Sequence, residues 1–107
     1  MPMIKIEFDD TKVSDEEIRQ LSETVQKVVS QVTSIEDVFV YANSAKIKVQ
    51  IAPIEIFVEM SANKIENLDD LTIKIKEGLS EWKKESGFSQ PINLTVMPMN
   101  WKVEINI

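Results

Sequence analysis

The sequence predicts an α+β fold: a two-layer sandwich in which two consecutive βαβ units place two helices on one face of a four-stranded sheet. Two observations predict it. Apolar periodicity runs from two residues to about 3.6 and back to two along the first half of the chain, and repeats that order in the second. The signals also recur at a nearly constant offset. Prolines open alternating segments at Pro2 and Pro53, 51 residues apart; helix caps stand at Ser14 and Asn67, 53 apart; closing strands begin near Val38 and Ile92, 54 apart. The 107 residues therefore read as one domain with an internal pseudo-repeat, about 1–52 and 53–107.

The first strand runs from Met3 to Phe8, with Ile4, Ile6 and Phe8 on one side and Met3, Lys5 and Glu7 on the other. Ser14-Asp15-Glu16-Glu17 supplies a capping box, and Ile18, Leu21, Val25, Val28, Val29 and Val32 form the apolar stripe of a helix reaching about Thr33. Val38–Ala42 is rich in β-branched and aromatic residues and leads into a turn at Asn43-Ser44. Ile47, Val49 and Ile51 alternate with Lys46, Lys48 and Gln50, which predicts a short strand or extended arm with one basic face. A further strand follows Pro53, with Ile54, Ile56, Val58 and Met60 on one side. Asn67 caps a second helix whose stripe is Leu68, Leu71, Ile75, Leu79 and Trp82, stopped by Ser86-Gly87; Gly78 inside it costs about 1 kcal/mol relative to Ala. Alternation returns from Ile92, with a break expected at Pro98 and a terminal edge strand at Trp101–Ile107.

One sheet face carries Tyr41, Phe57 and Met97 among Lys and Glu residues, too apolar for open solvent, which predicts self-association. Composition narrows the chemistry. With neither Cys nor His there are no disulfides, no thiolate nucleophile, no Ser-His-Asp triad and no usual zinc site. A net charge of −6, with Arg19 the sole arginine, disfavours nucleic acid as a partner. No apolar run is long enough to span a membrane and no signal segment is evident, so a cytoplasmic location is expected. Asp9-Asp10, Asp15-Glu16-Glu17 and Asp69-Asp70 read as loop and helix-start acids, so no metal is expected. The five methionines read as core and interface filler.

A proline directly after Met1 at the head of the first strand, together with two βαβ units in this length, resembles the tautomerase superfamily of 4-oxalocrotonate tautomerase and macrophage migration inhibitory factor. Ser14-Asp15-Glu16 is similar to the first helix start of the former. Pro53 through Ser61-Ala62-Asn63-Lys64-Ile65 is similar to the third strand and turn of the latter. Within the superfamily the chain is most similar to a small bacterial group of tautomerase-like proteins of undefined function.

The resemblance implies a homotrimer without cofactors, active sites at subunit interfaces, and loss of Met1 to free the secondary amine of Pro2 as a general base. It places Lys64 and the backbone beside Ala62 near a ligand oxygen, and Asn93 and Thr95 at polar pocket positions of the last strand. Trp101 is a candidate pocket wall. The family's two arginines fall near Val13 and Phe39, and the lysine of the migration inhibitory factor near Thr33; all three are replaced here. The function so implied is keto-enol isomerisation of small α-keto acids or enols. The alternative is a non-catalytic oligomeric binding or scaffold protein of the same fold. A ferredoxin-like small-molecule sensor is a third reading, separable by strand order.

Overall fold

The alternation at the start of the chain becomes β1 (Met3–Phe8) in the computed structural model, which describes residues 1–107. Its inward residues Ile4 and Ile6 are fully buried. Helix α1 (Asp15–Thr33) begins with the capping box: the Glu17 amide donates to Ser14 Oγ at 3.1 Å, and the Ser14 amide donates to the Glu17 carboxylate at 3.0 Å. Then come β2 (Phe39–Ser44), β3 (Ile54–Ser61), a single 3₁₀ turn (Ala62–Lys64), α2 (Leu68–Ser86) and β4 (Asn93–Met99). Asn67 caps α2 by accepting from the Asp70 amide at 2.9 Å, and Gly87 ends it at φ 73°, a left-handed conformation that glycine adopts without Cβ strain.

The sheet order is β2-β1-β3-β4, with β1 parallel to β2, β3 parallel to β4 and the central pair antiparallel. Each helix thus connects two adjacent parallel strands. A ferredoxin-like split βαβ unit would insert another strand between them, so the sensor reading is excluded. Ile4, Ile6, Ile54, Ile56 and Val58 face the helices and meet Leu21, Val25, Val29 and Ile75 in one core. Each such side chain contributes about 1.5–3 kcal/mol by leaving water. The opposite face, uncovered by any helix, carries three rows across the strands: Phe39, Met3, Glu59, Met97; Tyr41, Lys5, Phe57, Thr95; and Asn43, Glu7, Glu55, Asn93.

Gly78 marks the closest approach of α1 and α2, since a Cβ there would lie 2.7 Å from Val28 Cγ1. Gly78→Ala gains about 1 kcal/mol of helix propensity but forces a stiff β-branched neighbour aside, an overpacking cost of about 1–3 kcal/mol. We expect net destabilisation in urea unfolding, reversed when Val28→Ala is added. Simple additivity of the two changes would show that the contact is not responsible.

Three expectations are corrected. Asn43-Ser44 is not a turn: both residues stay in β2 because β1 continues alongside, pairing Glu7 with Asn43 and Phe8 with Ser44. Of the two forms expected for residues 45–52 the arm is the one found, because β1 ends at Phe8 and offers nothing further to pair with; Val49 there is 99% exposed and Lys48 is tied to Asp10 at 3.0 Å. Pro98 does not break β4, whose outer edge is free and tolerates a missing N–H. The terminal strand at Trp101–Ile107 does not form, since β3 ends at Ser61, opposite Met99.

Candidate functional site

One end of the sheet gathers six chain ends. β1 and β2 start there, β3 and β4 finish there, α1 arrives and α2 departs. This convergence follows from two parallel pairs joined antiparallel. Pro2 sits at its centre, one residue before the Met3–Glu59 pair and therefore level with Met60. It is less than 2% exposed, and its carbonyl accepts from the Phe39 amide at 3.2 Å, which holds the strand start in place. While Met1 is attached, the Pro2 nitrogen is an amide without basicity.

At the same end, on the helix side of the sheet, lies a cleft of about 290 Å³ lined by Val32, Thr33, Met60, Lys64, Asn67 and Lys74, among others; Pro2 itself does not line it, whereas Met60, the residue level with Pro2 on β3, does. Lys74 is paired with Asp70 at 3.0 Å, whereas Lys64 forms no ion pair and keeps its ammonium available at the rim. Thr33 is already committed: its hydroxyl donates to the Val29 carbonyl at 2.7 Å and accepts from the Ile35 amide. Sequence reasoning missed Met60, Asn67 and Lys74 as lining residues. The Asn67 cap was visible, but its arrival beside Lys64 depends on where β3 ends.

The sequence-predicted site residues divide into three places. Pro2, Ala62 and Lys64 belong to this end of the sheet. Trp101 also lies here but on the uncovered side, where its indole N–H donates to Ser61 Oγ at 2.7 Å. Asn93 and Thr95 sit further along β4, opposite Glu55 and Phe57. Asn93 donates to the Glu55 carboxylate at 2.9 Å and is separated from the Pro2 level by roughly 16 Å of strand, so one protomer does not bring it to the cleft.

The acids are accounted for locally. Asp9 accepts from the Thr11 hydroxyl at 2.7 Å and the Thr11 amide at 3.0 Å, which shape the loop after β1. Those bonds, helped by Lys12 and Lys48, hold its carboxyl below the ordinary aspartate value of 3.8. The ionised form is thus favoured by folding, and its contribution persists above that value and is lost as pH falls through the lowered one. Thr11→Val should flatten the loss of stability below about pH 4, measured by thermal unfolding at stepped pH; an unchanged acid limb would mean that other carboxylates dominate.

No family model matches the sequence, and no curated protein matches it. Solved structures do. An FG41 malonate semialdehyde decarboxylase inhibited by 3-bromopropiolate superposes with a TM-score of 0.70 at 17% identity, covering 98% of this chain and 91% of that one. A 5-carboxymethyl-2-hydroxymuconate delta-isomerase gives 0.68 at 12% identity, covering 99% and 89%. The chain has the tautomerase fold. A macrophage migration inhibitory factor-like protein from Entamoeba histolytica shares this tautomerase architecture at a TM-score of 0.55 and 16% identity, covering 96% and 93%. Within the tautomerase frame, Val13 is a core residue at 2% exposure and Phe39 lies on the uncovered face at 45%. No helix is long and apolar enough to cross a membrane.

Proposed function

We propose that this chain is a cofactor-independent tautomerase that isomerises small enols or α-keto acids, with the amine of Pro2 as general base once Met1 is removed. The burial of Pro2 at the head of a central strand, at the sheet end that also holds a cleft with an unpaired lysine at its rim, carries the reading. An ordinary α-amino group titrates near 8, and an apolar setting disfavours its ammonium form, so the freed amine is a base at neutral pH. From a keto acid it takes a proton from the carbon next to the carbonyl and delivers it to the oxygen, and from an enol it takes the hydroxyl proton and delivers it to that carbon, while the Lys64 ammonium balances the oxygen's developing charge. In support, a malonate semialdehyde decarboxylase of the same fold, at a TM-score of 0.68 and 8% identity, has also been solved as a mutant of its first-residue proline to alanine.

Assembly completes the reading. The β2 side of the uncovered face, with Tyr41 52% exposed, and the arm bearing Ile47 and Val49 are covered by two further copies in a homotrimer, which brings Asn93 and Thr95 of one chain toward the cleft of the next. A second reading, a non-catalytic binding protein, is favoured by Val13 in the core and by the engaged hydroxyl of Thr33, which leave the cleft without the family's arginine and lysine partners.

The two separate in one experiment. Protein whose intact mass lacks Met1 is compared, with phenylpyruvate as substrate, against protein carrying one extra residue before Pro2. Activity confined to the first supports proton transfer by Pro2, equal turnover in both would assign the transfer to another group, and absent turnover in both leaves binding.

A further inference from the structure

Met-Pro-Met occurs twice in this chain, at residues 1–3 and 97–99, and accounts for four of its five methionines. Folding brings both copies to one end and one face of the sheet. Met3 and Met97 are the register partners of Glu59 from opposite sides, and Met99 is the partner of Ser61, next along β3. Because β1 and β4 both border β3, Met3 and Met97 stand two strand spacings apart, about 10 Å between Cα positions. Two side chains with three rotatable bonds each are long enough to span that gap.

The placement differs from ordinary filling. Helix-facing strand positions are mostly Ile, Val and Leu, the residues that suit a packed sheet, whereas Met clusters on the uncovered face. Met1, Met3, Met97 and Met99 are half-buried, whereas Met60 is 3% exposed and belongs to the other face. Between the two strands that carry these methionines, Glu59 supplies a carboxylate of which one oxygen, Oε2, is paired with the Lys5 ammonium at 3.2 Å. Trp101, fixed to Ser61, adds an aromatic side chain at the edge of the cluster, a favourable neighbour for a cation.

We propose that Met3, Met97 and Met99 form a thioether site for a soft monovalent cation, Cu(I). Neutral, polarisable thioethers select Cu(I) over zinc, calcium or magnesium. The chain's lack of Cys and His leaves no other soft side-chain ligand. The site does not rest on the proton-transfer reading, since loss of Met1 leaves these three ligands intact.

The test titrates Ag(I), a redox-inert probe, into the full chain carrying Trp82→Phe, so that fluorescence reports Trp101 alone. Stoichiometry is read by native mass spectrometry, and the methyl groups of ¹³C-labelled methionines are followed by NMR. The expected result is saturable binding of one ion per chain, quenching of Trp101, and shifts at Met3, Met97 and Met99 with Met60 unmoved. Met3→Leu/Met97→Leu/Met99→Leu, which conserves volume, should weaken binding by more than the roughly 100-fold that loss of an outer-shell partner costs. Met60→Leu should bind like the parent. Absence of saturable binding, an unaffected triple variant, or methyl shifts centred on Met60 would each overturn the site. Failure of Cu(I) itself to compete with a chelator under anaerobic conditions would overturn the assignment of the metal.

Discussion

In protein freed of Met1, Pro2→Ala is expected to lower phenylpyruvate isomerisation by about 10²-fold or more, the range that a positioned general base contributes. The substitution keeps an N-terminal amine, so the loss measures placement and basicity. Alanine lacks the ring that fills the buried site, and its amine is free to turn away from the cleft. The pH profile gives a second readout. A base must be unprotonated, and burial disfavours the ammonium form. The parent rate should therefore rise with pH through a value below about 8 and then level off. In the variant the inflection should move back toward the ordinary α-amino value. Equal rates and profiles, with the fold intact by circular dichroism, would assign the proton transfer elsewhere and leave Pro2 as the head of a strand.

Much of the fold was legible because its signals are local. Ser14 and Glu17 bracket one helix start, Asn67 and Gly87 frame the other helix, and alternation at Ile4–Phe8 and Ile54–Met60 marks strands with two unlike faces. What depended on distant partners was not legible. Asn43-Ser44 has turn propensity, but a neighbouring strand overrides it. The segments 45–52 and 101–107 have strand periodicity, yet each runs past the end of the strand that would have paired with it. The same limit applies to the site. Pro2 and Lys64 could be singled out by position, but that they fall at the same end of the sheet follows from the antiparallel pairing of β1 with β3. Met60 fills the interior as its type suggests, but that Met3 and Met97 flank Glu59 from two strands is set by register and has no local signal in the sequence.

The second large effect concerns the missing arginines. Val13→Arg is expected to unfold the domain or nearly so, while Phe39→Arg should leave stability within about 1 kcal/mol. Val13 is 2% exposed within the main core, and its amide donates to the Asp9 carbonyl at 3.0 Å, so the backbone cannot swing the side chain outward without opening the loop. An unpaired guanidinium there loses its hydration, and an uncompensated buried charge costs about 3–5 kcal/mol. That is a large share of the roughly 5–15 kcal/mol available to a small domain. Phe39 is 45% exposed on the face without helices, where a long cationic side chain keeps its head in water. Urea midpoints for the two variants check the contrast. If Val13→Arg were tolerated, the loop after β1 would be looser than its Asp9 hydrogen bonds indicate, and a carboxylate-binding arginine would be compatible with this chain at that position. If it unfolds as expected, the hydrophobic core itself forbids that recognition element, and any anion at the cleft must rely on Lys64 or on a residue of another copy.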